Sequence, residues 1–549
     1  MIKYMNKDVK SLIGFNYIMN QLQPLTPYGK DKKAEMVPFF NINDLKEELN
    51  KVEVITQSIK DNRNIFNQVK SLLAHVKDIR NSLYRAQNDQ ILTVIELYEI
   101  KSFMNIIEDL ELLIDKLSFD SSEDMLISSS EELKRLFDPE NKELKTYYIY
   151  DEYSEALTNI REEKRSLGKQ IKIKKTEKKN RLKKELNIRI NPKGEVIVSK
   201  EDSELNDKIS DHSDFEYLSE SYMAIRYKVK DGIDIEKLLD RLEELKEREE
   251  KEELIIRERL SKEISKHKSF IDKNIQSISN MDLRIAKAYL AMKFNCTRPK
   301  ITDGNKINIV DGIHPEVQDE LAKRKSEFIP ISINLSSGST CITGANMGGK
   351  TITLKIIALL TAMAQYGLLV PARQMEASIA EYVYVSIGDL QSIDSGLSTF
   401  GGEIYQVKSA LGESNRNGLI LIDELARGTN PKEGYAISKA IVKFLLDKPS
   451  ISVITSHYDN VANTEGVVHY QVVGLENLDY DKLKLEMGKS DIHGIEMIST
   501  FMDYRLKRVE EHTQVPRDAL NIARFMGLQE EVLNIAEDIL TRGETNYEK

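Results

Sequence analysis

Residues 344–351, Gly344-Ala345-Asn346-Met347-Gly348-Gly349-Lys350-Thr351, fit the phosphate-binding template G-x-x-x-x-G-K-[ST] at every specified position. The chemistry follows from the residue types. Glycines let successive backbone N–H groups turn inward around an anion, and a following helix points its positive N-terminal end at the same charge. Lys350 can reach the β- and γ-phosphates, and the Thr351 hydroxyl can ligate Mg2+. The implied ligand is a nucleoside triphosphate, contacted by Gly344, Ala345, Asn346, Met347, Gly348, Gly349, Lys350 and Thr351.

A second constellation lies downstream. Leu419-Ile420-Leu421-Ile422 is an apolar run that ends in Asp423-Glu424. A strand there would put Asp423 at its C-terminal edge, able to hold Mg2+ through water, with Glu424 placed to polarise the water that attacks the γ-phosphate. An acidic pair after a strand says little alone; about 70 residues beyond a phosphate loop it says much more. His457 closes the next apolar run, in Ile454-Thr455-Ser456-His457. In the order loop, acidic strand, strand-ending histidine, its role would be to sense the γ-phosphate by hydrogen bond. The expected catalytic residues are therefore Lys350, Glu424 and His457, with Thr351 and Asp423 on the metal.

These side chains need elements to hold them. Ser339-Thr340-Cys341-Ile342 reads as the strand before the loop; Ile352, Leu354, Ile356, Ile357, Leu359 and Leu360 read as the buried side of the helix after it. Leu419–Ile422 and Ile451–Ile454 read as buried parallel strands with helices between them. Upstream, Leu92, Ile95, Leu97, Ile100, Phe103, Ile106, Ile107, Leu110 and Leu113 form a helical stripe, and Pro24, Pro27 and Pro38 divide the start of the chain into short helices.

Two long charged stretches, from about 140 to 190 and about 232 to 285, are too polar for a core and can pair as an antiparallel coiled coil. Between them, residues 187–198 read as strand, proline turn and strand, and residues 222–229 as a further strand. The basic run containing Lys172, Lys174, Lys175, Lys178, Lys179, Arg181, Lys183 and Lys184 reads either as a phosphate-contacting surface or as a solvated helix face.

The 549 residues suffice for roughly three or four domains. A charged fraction of 31%, an aromatic fraction of 7% and no Trp fit long solvated helices around one compact part. A net charge of −10 argues against non-specific coating of nucleic acid, though a local basic patch remains compatible with it. Cys296 and Cys341 match no metal spacing and fit a reduced compartment. The N-terminus lacks a signal-peptide core, and no run reaches the roughly 18 apolar residues needed to span a bilayer, so a cytoplasmic protein away from membranes is expected.

Taken with its neighbours, the loop Thr343–Thr351 closely resembles the nucleotide-binding loop of the MutS family. Met363-Ala364-Gln365-Tyr366-Gly367-Leu368-Leu369-Val370-Pro371-Ala372, Leu397-Ser398-Thr399-Phe400, Asp423-Glu424-Leu425-Ala426-Arg427-Gly428-Thr429 and Thr455-Ser456-His457-Tyr458 resemble the later motifs, in family order. The match starts near His314-Pro315; weaker similarity reaches the upstream helices and, downstream, Gly527-Leu528 and Ile535–Leu540. The resemblance implies a mixed fold: an all-α core (1–150), a coiled-coil lever (151–285) with a small β-containing clamp tip (about 187–231), a C-terminal α/β ABC-type ATPase domain (296–490) and a helical dimerisation segment (491–549). It implies ATP and Mg2+ as ligands and a homodimer in which each site is completed by the other subunit. Ser398 would contact the opposite subunit's γ-phosphate, and Arg427, Gly428 and Thr429 would line the same seam. Gln391 would link nucleotide state to the lever, and Phe328 would stack on adenine.

The departures matter too. The mismatch-reading Phe-x-Glu motif is absent, and with the helical core expected from residue 1 the reader domain is not expected ahead of it. Residues 387–393 and 428–434 lean toward the second MutS subfamily, yet that subfamily's C-terminal nuclease-like domain is not expected in the short stretch after the ATPase. Two functions follow from the resemblance. One is an ATP-gated clamp on DNA that reads a junction or distorted duplex by shape. The other is an ATP-driven reactivase for an adenosylcobalamin-dependent lysine 5,6- or ornithine aminomutase.

Overall fold

The structure is a computed structural model that describes residues 4–117, 123–140, 148–344, 349–387, 399–426, 429–456, 458–474, 503–509, 520, 523–524 and 528–543. The chain forms two compact units: residues 75–114 with 127–275, and residues 1–74 with 115–126 and 276–549.

In the first of these units the helical stripe lies on the helix Val94–Ile114, which buries Leu97, Ile100, Phe103, Ile106, Ile107, Leu110 and Leu113. Ile95 is exposed, and Leu92 is buried but precedes the helix. The two charged stretches become the helices Glu155–Leu186 and Ile233–Lys266. They run antiparallel, because Arg161 pairs with Glu249 and Glu253, Arg241 with Glu163, and Lys175 with Asp231. Their shared seam is narrow. It consists of Ile160, Leu167 and Ile171 against Ile235 and Leu245, with Leu238, Leu239 and Leu242 half-buried beside them. Charged side chains cover the rest of each helix, as two long polar helices require.

Between these helices in sequence lie strands β1 (Glu195–Ser199), β2 (Phe215–Glu220) and β3 (Ala224–Val229), in an antiparallel sheet of order β1-β3-β2. The helix Ser203–Ser210 packs with it, and Leu182, Ile188, Ile190, Val196, Val198, Ile209, Phe215 and Tyr227 form the small core. The expected strand at 187–190 is not one. Ile188 and Ile190 are buried in strand-like alternation, but the chain instead closes a turn in which the Glu195 amide donates to the Asn191 side chain at 2.9 Å. Within the basic run, Lys178 and Arg181 pair with Asp214, Lys175 pairs with Asp231, and Lys179 donates to the Pro192 carbonyl. Lys172, Lys174, Lys183 and Lys184 remain exposed.

The other unit holds two sheets. Strands β4 (Lys300–Ile301), β5 (Lys306–Gly312), β6 (Ile331–Ser336) and β8 (Gln374–Ala377) form one, in the order β4-β8-β5-β6. The second contains β7 (Gly338–Thr343), β9 (Val383–Ser386), β10 (Leu419–Ile422), β11 (Ile451–Thr455), β12 (Val468–Gly474) and β13 (Asp503–Arg508). Its order is β13-β12-β7-β11-β10-β9; β13 alone is antiparallel, paired with β12. β7, β10 and β11 are buried at every position, as parallel strands covered on both faces must be. Only Ser337 separates β6 from β7. Gly338 makes that step with φ +95°, and a Cβ there would lie 2.5 Å from the Leu446 carbonyl oxygen.

The helix Gly349–Gln365 follows β7 and is buried along nearly its whole length. Its apolar cluster includes Ile356, Ile357 and Met363 together with Phe15, Ile18, Leu45, Leu49 and Leu290, so residues near the start of the chain share a core with the phosphate-loop helix. Beside it, Glu48 accepts from Arg284 Nε at 2.9 Å and from Lys287 Nζ at 2.7 Å. Cys341 is buried, and burial pushes its thiol up to about 12. No helix among the described residues is long and apolar enough to cross a membrane.

Candidate functional site

Because β7, β10 and β11 are parallel, their C-terminal ends open onto one edge of the sheet. Register fixes the neighbours: Ile422 lies beside Ile454, and Ile454 beside Cys341. Asp423 therefore leaves β10 next to Thr455, the last residue of β11. The Thr455 hydroxyl donates to Asp423 Oδ1 at 2.5 Å, and the Glu424 amide donates to the same hydroxyl at 2.8 Å. From the other side, the Thr351 hydroxyl in the first turn of the phosphate-loop helix donates to Asp423 Oδ2 at 2.6 Å. One carboxylate thus joins the loop helix, the acidic strand and β11.

The loop begins at Gly344, whose φ of +118° and close approach to β12 both require glycine; a Cβ would meet Val472 at 3.2 Å. Lys350 is only 3% exposed, and its ammonium donates to the Gly344 carbonyl at 2.9 Å. A buried ammonium on a loop carbonyl stands ready to exchange that oxygen for a phosphate oxygen. Behind the loop, Thr343 Oγ1 and His469 Nε2 lie 2.7 Å apart, and burial lowers the His469 pKa.

The turn after β10 is strained. Glu424 (φ 50°) and Ala426 (φ 62°) both occupy the left-handed region, which disfavours non-glycine residues. Four elements hold it. The Asp423 amide donates to the Ser386 carbonyl on β9, the Glu424 amide to Thr455, and the Ala426 amide to Glu403 Oε1 at 2.8 Å. The Leu425 carbonyl accepts from Ser438, on the helix Pro431–Leu446. Gly434 lets that helix approach, since a Cβ there would meet the Ala426 carbonyl at 2.9 Å.

The structure therefore brings together Gly344, Gly349, Lys350, Thr351, Asp423 and Glu424. Phe328 is half-buried against the large apolar cluster, and Thr429 is half-buried just ahead of the Asn430 cap of the helix Pro431–Leu446. Ala345, Asn346, Met347, Gly348, Gln391, Ser398, Arg427, Gly428 and His457 lie outside the described residues. Sequence reasoning assigned no role to Thr455 or Glu403. Thr455 had a signal, a hydroxyl at the last position of an apolar strand beside the acidic one; Glu403 had none.

Among the described residues no group of three or more His, Cys, Asp or Glu side chains is placed to hold a metal. Mg2+ on a nucleotide does not need one, because it takes one or two protein oxygens and completes its shell with phosphate and water. Thr351 Oγ1 and Asp423 Oδ2 supply such a pair of hard oxygen donors, and the residues present fit the ion.

The profile of MutS domain V matches residues 340–542. The chain is 30% identical over 497 residues to Endonuclease MutS2 of Caldanaerobacter subterraneus subsp. tengcongensis, covering 86% of this chain and 57% of that protein. It is 26% identical over 528 residues to Endonuclease MutS2 of Halothermothrix orenii, covering 92% and 63%. With Endonuclease MutS2 of Halalkalibacterium halodurans the identity is 36% over 240 residues, or 42% of this chain and 30% of that protein. The chain thus spans less than two thirds of the length of these curated relatives.

Proposed function

The chain belongs to the MutS family, and on that premise we propose that it is a dimeric, Mg2+-dependent ATPase whose nucleotide state drives a helical lever acting on DNA. The observation that carries the ATPase reading is the Asp423 carboxylate, bonded at once to Thr351 and to Thr455 beside the buried Lys350. In this reading the amides of residues 344–351 and the Lys350 ammonium bind the β- and γ-phosphates. Thr351 and Asp423 hold Mg2+, which when bound neutralises charge on the phosphate oxygens. Glu424 accepts the proton of the attacking water, and His457 hydrogen-bonds the γ-phosphate. Phe328 lies against adenine, and Gln391 passes nucleotide state onward. Ser398, Arg427, Gly428 and Thr429 complete the other subunit's site.

The lever of this proposal is the antiparallel pair Glu155–Leu186 and Ile233–Lys266, and the sheet β1-β3-β2 is its clamp tip. The MutS2 names of the relatives favour DNA over an aminomutase as its object, and the exposed Lys172, Lys174, Lys183 and Lys184 offer phosphate contacts.

Two measurements test the proposal. Glu424→Gln is expected to keep ATP binding and to lower turnover at least about 100-fold, the scale of losing a general base; wild-type turnover in that variant would remove Glu424 from its role. Branched or mismatched duplex is expected to stimulate ATP hydrolysis at physiological salt, and neutralising the four lysines to abolish the stimulation. Stimulation by a candidate aminomutase and not by DNA would reverse the choice of partner.

A further inference from the structure

The hydrogen bond from the Ala426 amide to Glu403 joins two parts of the site that the proposed function keeps separate. Glu403 lies in the helix Thr399–Glu413. That helix starts directly after residues 388–398, the stretch containing Gln391 and Ser398. Ala426 lies two residues beyond Glu424 in the same turn. Val407 and Ala410 of the helix are buried in the same apolar cluster as Leu425, Ala426 and Ile422, with Phe400 half-buried against it. The helix therefore has a fixed seat on the turn, and the Glu403 carboxylate supplies the polar part of that seat. Glu403 also faces β9, where burial first and then the Glu403 charge raise the pKa of Tyr384.

The turn needs such support. Left-handed conformations at Glu424 and Ala426 are unfavourable for residues with a Cβ, and they persist only where surrounding bonds over-determine them. Asp423 and Glu424 are held from within the sheet, through Ser386 and Thr455. The Ala426 amide is held instead by a side chain on a helix outside it. A shift of that helix would release Ala426 while leaving the sheet bonds intact, and the Glu424 carboxylate would move with the turn.

Resting on the ATPase reading, we infer that Glu403 is a positioning residue: it sets the Glu424 carboxylate through the Ala426 amide, and so makes the catalytic turn depend on the seat of the helix Thr399–Glu413.

The experiment compares wild type, Glu403→Ala and Glu403→Gln by ATP binding, by kcat and KM for hydrolysis, and by amide hydrogen exchange of the peptide containing Ala426. Glu403→Ala is expected to lower kcat about tenfold or more with ATP affinity and KM within about threefold, the scale of one charge-assisted hydrogen bond acting in the chemical step. Its Ala426 amide should exchange about tenfold faster or more. Glu403→Gln keeps an acceptor oxygen and should restore both readings to within about threefold of wild type. Unchanged exchange in Glu403→Ala, or a Gln variant as impaired as Ala, overturns the inference. So does a parallel loss of ATP affinity in Glu403→Ala, because it would mark a merely structural role. A wild-type protein without turnover would count against the ATPase reading alone, since the exchange comparison needs no turnover.

Discussion

The Thr351 hydroxyl lies 2.6 Å from the Asp423 carboxylate although 72 residues separate them. Two oxygens suited to Mg2+ stand side by side because β7 and β10 end at the same edge of a parallel sheet. Thr351→Ser keeps the hydroxyl and should retain hydrolysis within about threefold, while Thr351→Val and Asp423→Asn should each lose at least about 100-fold in kcat/KM. Both impaired variants should also need a higher Mg2+ concentration for half-maximal rate. A Mg2+ titration of hydrolysis decides, and an unchanged titration in Asp423→Asn would remove Asp423 from the metal.

Lys350 places its charge inside the protein, on a loop carbonyl. Lys350→Ala should therefore weaken ATP affinity by at least about 100-fold, several charge-assisted contacts being lost together, with the folded state preserved. Titration with a fluorescent ATP analogue, alongside a thermal melt, checks both halves. Tight binding by Lys350→Ala would contradict the loop assignment.

Glu48 is a stability determinant away from the site. Burial alone would raise its pKa, yet Lys287 and Arg284 outweigh burial and hold the carboxyl below the ordinary value of 4.5. A depressed carboxylate contributes stability above its unfolded pKa and loses it as pH falls through the folded value, so this contribution is complete at neutral pH and disappears in acid below about 4.5. Glu48→Gln leaves the buried Lys287 without its anion, while Arg284 keeps Asp124 at 2.6 Å, and should cost about 3 kcal/mol. Chemical denaturation at pH 7 measures it; a loss under about 1 kcal/mol would show that the pair is dispensable.

His314 supplies a pH dependence at milder acidity. Burial drives its pKa from 6.5 down to about 4, while Nε2 lies 3.1 Å from the Ile13 carbonyl and Nδ1 faces the Val317 amide at 3.5 Å. That pattern suits the neutral ring, with Nε2–H donating and Nδ1 accepting. The folded pKa is depressed, so stability is complete above pH 6.5 and falls as pH drops toward 4. The full loss is about 3 kcal/mol, from roughly 1.4 kcal/mol per pH unit. Denaturation midpoints at pH 7 and pH 4.5 should differ in wild type and converge in His314→Asn. A slope unaffected by the substitution would assign the pH dependence to other groups.

Much of the site was legible because its signals are local. Leu419–Ile422 and Ile451–Ile454 are short apolar runs bounded by polar turns, and both form buried strands. The glycines and Lys350-Thr351 announce themselves by spacing. Other features were hidden for physical reasons. β2 buries only Phe215, so no apolar alternation marks it. Ile188 and Ile190 alternate like a strand but bury against the small core without a ladder partner. Phe15 and Leu45 share a core with Ile357 through contacts made across some 300 residues, which no local pattern encodes. Glu403 acts through one backbone amide, and its role appears only once the chain is folded.

The antiparallel pair Glu155–Leu186 and Ile233–Lys266 has a mechanical consequence. A helix of 32 residues is about 48 Å long at 1.5 Å per residue. Ion pairs of Arg161, Arg241 and Lys175 along that length, over a shared apolar seam, would let the pair move as one beam instead of two rods. A rotation of about 5° at the Arg161 end would carry the far end through about 4 Å on that length. A rotation that small at one end would become a step at the other about as large as the spacing between neighbouring side chains.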